Sequence, residues 1–148
     1  MTTSQDRIAP PSTVVGAFSG FLFSSVSAVG ALAMLVGSHQ QVVDALRASG
    51  TTLTEEQLQT AATTTLAVAA GIALVIALVE MWLAFKLRAG RNWARIALTV
   101  LTLIQVASLV TGEATLAGYA GAAVAVLAVV FSYLPPSNAY FASVKRAG

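Results

Sequence analysis

The chain has 148 residues, of which 57% are hydrophobic and only 9% carry a charge. An ordinary soluble domain carries about 25% charged residues to coat its surface, so this composition points instead to a chain whose apolar side chains face lipid, with room for about four spans of ~20 residues each. Cysteine is absent, which removes disulfides, thiolate metal sites and dithiol redox chemistry, including that of quinone-linked thiol oxidoreductases with a similar four-helix plan. A net charge of +2 with so few basic residues argues against a nucleic-acid partner.

Residues 1–13 are polar, contain Pro10-Pro11, and read as a disordered tail. The first apolar run covers about residues 14–36. Gly16, Gly20, Ser24 and Ala28 recur along it at every fourth position, a small-residue stripe that lets a second helix approach closely. Ala31-Leu32-Ala33 would suit signal cleavage, but the run exceeds the usual signal core of about 7–15 residues and its basic flank is weak, so it reads as a retained span.

The extracytoplasmic loop, 37–61, is polar, yet Val42, Val43 and Leu46 keep helical spacing, and the first helix is expected to run on past the membrane to Gly50. Thr54 and Gln57 fit a capping box and Leu53 with Leu58 fits a hydrophobic staple. Glu55 and Glu56 then fall in the first turn, where the helix dipole favours acids. The second helix is therefore predicted from Glu55 to about Leu87, roughly 50 Å at about 1.5 Å per residue, against a hydrocarbon core of ~30 Å. Its surplus projects from the membrane as a short hairpin, with Val42, Val43 and Leu46 facing Leu58, Ala62 and Thr65. The second span proper is about 66–87.

Lys86 to Arg91 reads as a turn, with Gly90 ending one helix and Asn92 capping the next. The third span is about 93–110. Thr99, Thr102, Gln105 and Ser108 share one drifting face of it, expected to point at other helices. A tight turn holds Gly112 and Glu113. The fourth span, about 115–134, offers Gly118, Gly121 and Ala125 as a packing face and ends at Pro135-Pro136. Residues 135–148 form a cytoplasmic tail in which Tyr140, Phe141, Lys145 and Arg146 suit an interfacial anchor.

The predicted fold is thus an all-α integral membrane four-helix bundle, with both termini and the Lys86–Arg95 turn on one side. That side holds every Lys and Arg except Arg47, so by the positive-inside rule it is cytoplasmic. Trp82, Trp93, Tyr133 and Tyr140 would form an aromatic belt at the inner interface.

Arg88-Ala89-Gly90-Arg91-Asn92-Trp93-Ala94-Arg95-Ile96, followed by Leu-Pro-Pro-Ser-Asn-Ala-Tyr-Phe at 134–141, resembles a pattern of small four-span membrane proteins of actinobacteria, over roughly residues 14–141. The resemblance implies a plasma-membrane location and the four-helix plan, and brings no catalytic or ligand-binding residue to carry over.

Two groups are candidates for function. Glu80 is the one ionisable residue at depth in an apolar run, and a carboxylate there is costly enough to be a functional candidate. Its expected partner is Arg95, as a structural ion pair across the hairpin or as part of a proton- or cation-coupled binding site with Gln105; small multidrug transporters also place a glutamate in four short helices, but their surrounding motifs are not matched. Lys86, Arg88, Arg91 and Arg95, with Trp82 and Trp93, are candidates for anionic lipid headgroups, at roughly 1 kcal/mol per basic residue near the surface. His39 is the sole histidine and has no ligand cluster around it, so no metal or cofactor is expected. No nucleophile–base pair or phosphate-binding loop is visible in the sequence. The expected function is non-enzymatic, an accessory or scaffold subunit of the cell envelope in contact with the bilayer and its anionic lipids, as a homo-oligomer or within a larger complex. The alternative is a small oligomeric transporter or channel built on Glu80.

Overall fold

A computed structural model of the protein describes residues 8–112 and 116–148. It is helical, with α1 Ser12–Gly37, α2 His39–Ala48, α3 Glu55–Arg88, α4 Asn92–Thr111, α5 Leu116–Ser132 and α6 Pro135–Ala147. Among the described residues, α1, α3 and α4 are each long and apolar enough to cross a membrane, and α5 joins them if it is counted with α6, to which it is bent by 61°. Glu113 and Thr115, assigned above to a tight turn and to the start of the fourth span, lie outside the described residues, as do Asp6 and Arg7 in the N-terminal tail.

The four long helices close a ring in the order α1, α3, α4, α5, and α1 has the most extensive contacts, with α5 on one side and α3 on the other. The small-residue stripe explains the first of these contacts. A Cβ at Gly20 would lie 2.9 Å from the Ala128 Cβ of α5, so the two backbones approach at a distance that only glycine permits. Ala122, Ala125 and Ala128 are buried opposite it. Against α3, Phe18 meets Phe85 edge-on with centroids 5.2 Å apart, and the core continues through Phe21, Leu83, Ala84, Leu87, Ala94 and Leu98. Outward faces stay apolar: Val68, Ile72, Val75 and Val79 of α3 and Val100, Leu103 and Ile104 of α4 are exposed. A bundle that leaves such stripes uncovered presents far more contiguous apolar surface than water tolerates.

At the far end from the basic turn, α2 folds against the first turns of α3. Thr54 accepts from the Gln57 amide and the Gln57 side chain accepts from the Thr54 amide, so the capping box forms as its sequence predicts. Val43, Leu58 and Ala62 make a small second core, flanked by Val42 and Leu46. Two details differ from expectation. The first helix does not run on to Gly50 but breaks at Ser38, whose hydroxyl donates to the Leu35 carbonyl and helps close the preceding helix. Thr65 is exposed and Leu66 takes the buried position. Arg47 ties the hairpin together from outside, donating to Asp44 at 2.9 Å and to Glu55 at 2.7 Å.

At the other end, the cap of α4 is Arg91, in extended conformation and without a side-chain cap bond; Asn92 is the first helical residue. Gly90 supplies the left-handed conformation, φ +78°, that closes α3. The largest correction concerns residues 135–148. Pro135-Pro136 ends α5 but also starts α6, because proline suits a helix's first turn, where its missing N–H is not needed. α6 bends under the bundle, and Tyr140 and Phe141 are buried rather than lying as an interfacial anchor.

Candidate functional site

The two segments singled out in the sequence, the basic turn and the residues after the last span, meet in space. Arg95, in the first turn of α4, donates through Nη1 to the Ser132 carbonyl at 3.1 Å and to Asn138 Oδ1. Asn138 is held in turn by its amide, which donates to the Tyr133 carbonyl at 2.8 Å. The Arg95 guanidinium lies 4.3 Å from the Tyr133 ring centroid and 4.9 Å from that of Phe141. A planar, weakly hydrated cation suits this position between aromatic faces. The Ser132 carbonyl would otherwise be left unpaired at the α5–α6 corner and is served by Arg95, while the Leu134 carbonyl accepts the first backbone bond of α6 from the Asn138 main-chain N–H.

A second contact seats α6 on the turn. Tyr140 Oη donates to the Arg88 carbonyl at 2.9 Å, one of the acceptors left open at the end of α3. A Cβ at Gly90 would lie 2.8 Å from both γ-carbons of Val144, so the turn backbone rests directly on α6. Ser137 donates to the Phe131 carbonyl and shares a hydrogen bond of 2.8 Å with the Thr13 hydroxyl, which brings in the start of α1. The start of α1 and α6 therefore meet at the same end of the bundle.

The predicted lipid contacts divide by geometry. Trp82 and Trp93 pack with centroids 5.5 Å apart and planes tilted by 51°, both about half exposed, with Lys86 over the Trp82 ring at 5.4 Å. Arg88 lies over Phe18 at 5.2 Å. Arg91, Lys145 and Arg146 are exposed on the same end. Arg95 is turned inward and engaged as described.

Glu80 and Arg95 are not brought together. Arg95 faces the α5–α6 corner, whereas Glu80 is buried, 7% exposed, on the side of α3 that faces α1. The side-chain hydroxyls that approach its carboxyl are those of Ser24 and Ser25. The ion pairs formed among the described residues are those of Arg47. Gln105 is half-buried on α4. Its polar neighbours on that face, Thr102 and Ser108, return their hydroxyls to the carbonyls of Leu98 and Ile104, and Thr99 bonds to the Arg95 carbonyl and to Tyr133 Oη at 3.2 Å. The face is thus spent largely on its own helix. His39 Nε2 lies 3.1 Å from Thr63 Oγ1 in the α2–α3 hairpin, and among the described residues no group of three or more His, Cys, Asp or Glu is placed to hold a metal ion.

Sequence reasoning missed Ser25, Ser132 and Asn138. Ser25 had a signal: the Ser24-Ser25 pair is an adjacent polar step within an apolar helix. Ser132 acts through its carbonyl, which no side-chain pattern announces. Comparison with protein-family models, with curated proteins and with solved structures finds no match to this chain.

Proposed function

We propose that the chain is a non-enzymatic integral membrane protein of the plasma membrane, with four spans and both termini cytoplasmic, acting as an accessory or scaffold subunit of the cell envelope. The observation that carries this reading is the clasp around Arg95. Among the described residues, this polar arrangement joins α3, α4, α5 and α6, and its hydrogen-bonded groups are used on one another and on helix ends. Charge supports the orientation: Lys86, Arg88, Arg91, Arg95, Lys145 and Arg146 gather at the clasp end, while Arg47 stands among acids at the other. In this reading the Trp82–Trp93 pair sits at the inner interface, and Lys86, Arg88 and Arg91 meet anionic headgroups at about 1 kcal/mol each. The motif resemblance to small four-span actinobacterial proteins belongs to the same proposal, as does assembly with itself or a larger complex.

A second reading, a small oligomeric transporter or channel, rests on the burial of Glu80 without a basic partner among the described residues. The two readings separate in vesicles carrying the wild type or E80Q, assayed for ion- or proton-driven flux and for thermal stability. A scaffold gives no flux in either protein, with any change confined to stability. Wild-type flux abolished in a normally stable E80Q would refute it. Orientation is tested with single cysteines in this cysteine-free chain: A147C should react with an impermeant thiol reagent only after permeabilisation, and S49C before it. In-cell crosslinking and pull-down then identifies what the scaffold holds.

A further inference from the structure

Glu80 presents a problem of charge. It is 7% exposed, and the hydroxyls beside its carboxyl belong to Ser24, 1% exposed, and Ser25, 0% exposed. α1 carries no ionisable side chain. On α4 the ionisable group is Arg95, committed to Ser132 and Asn138. On α5 it is the Tyr119 phenol. On α3 the nearest base is Lys86, which lies over the Trp82 ring. A bare carboxylate with no counter-charge is strongly disfavoured in such surroundings.

The two serines add directional information. Ser25 Oγ donates its proton to the Phe21 carbonyl at 3.0 Å, so toward Glu80 it presents a lone pair. A carboxylate oxygen also presents lone pairs, and two acceptors side by side repel unless a proton or cation lies between them. Ser24 Oγ is buried without a hydrogen bond of good geometry, although it stands beside the same carboxyl. Two buried hydroxyls, one with its proton already spent and one without a settled partner, converge on one acid at the α1–α3 interface.

We infer that the Glu80 carboxyl and the Ser24 and Ser25 hydroxyls form a binding site for a small monovalent cation, a proton or an alkali-metal ion. As a proton site, the carboxyl O–H donates to a serine lone pair. As a metal site, the ion takes a carboxylate oxygen and the two hydroxyl oxygens, the hard donors that such cations prefer. The site is an equilibrium property of the interface and holds whether the protein is a scaffold or a transporter, so the flux assay does not decide it.

The test uses the full chain in lipid nanodiscs at neutral pH and fixed ionic strength. The infrared carbonyl region is recorded, and Tm is followed while sodium or potassium chloride replaces choline chloride. A bound proton gives a carboxylic-acid band that disappears in E80Q and shifts in S25A, with no alkali-ion dependence of Tm. A bound alkali ion gives no such band and a Tm that rises with that ion. The rise is lost in E80Q, and S24A weakens the apparent affinity by about tenfold, the equivalent of one lost polar contact. Either pattern supports the site. An ionised Glu80 with no response to sodium or potassium overturns it. S24A and S25A retain the carboxyl, so the test stands even if E80Q does not fold.

Discussion

Replacing Gly90 with alanine tests whether α6 is seated on the α3–α4 turn. Gly90 has φ +78°, a conformation that costs an L-residue about 1–2 kcal/mol. The added Cβ would lie 2.8 Å from both γ-carbons of Val144 and 3.0 Å from its Cβ. Because the Val144 Cβ belongs to the root of its side chain, no rotamer change relieves the contact, and α6 must shift. Overpacking of this kind costs about 1–3 kcal/mol, so G90A should lose about 2–5 kcal/mol in total. V144A removes the two γ-carbons at 2.8 Å but keeps the Cβ at 3.0 Å, so it relieves the closer part of the contact. The double variant G90A/V144A should recover part of the overpacking cost and keep the conformational part, which gives a coupling of about 1–2 kcal/mol in a double-mutant cycle. The assay is reversible unfolding of purified protein in mixed micelles, followed by helical circular dichroism and by tryptophan fluorescence, since Trp82 and Trp93 flank the turn. Strictly additive effects, with no rescue by V144A, would refute the seating of α6 and with it the clasp.

Three further outcomes follow from the same geometry. R95L should destabilise by about 2–4 kcal/mol, from charge-assisted hydrogen bonds to Ser132 and Asn138 and the loss of two aromatic faces; R95K, which keeps the charge but not the planar fork, should recover only part of it in the same assay. T54A should cost about 1 kcal/mol through loss of the cap, read as faster amide exchange confined to the first turns of α3 while the rest of the bundle stays protected. The Arg47 guanidinium holds the Glu55 carboxyl below its ordinary value of 4.5; a lowered acid stabilises the hairpin above that ordinary value and loses the contribution as pH falls through the folded one. Protection factors in α2, corrected for the intrinsic pH dependence of exchange, should therefore fall on acidification below about pH 4.5 in the wild type, less so in E55Q, and the effect should be small because the pair is exposed.

The sequence by itself determined the helical class, the long apolar segments and the start of α3. Each of these is local: composition and run length decide whether a segment tolerates lipid, and the capping box is closed by Thr54 and Gln57 three positions apart. The small-residue stripe was legible for the same reason, although its partner, Ala128, was not. Tertiary structure decided how the charges are used. Glu80 and Arg95 are opposite in sign and close to the same turn, which makes them plausible partners in one dimension. Three dimensions separate them, because Glu80 lies on the α3 face turned to α1, while Arg95 starts α4 on the side of the α5–α6 corner. The fate of residues 135–148 shows the same limit. Two prolines announce the end of a helix, but whether the chain then frays or begins again depends on a surface to pack against. Gly90 with the Arg88 carbonyl, and Thr13, provide that surface from two remote segments of the chain.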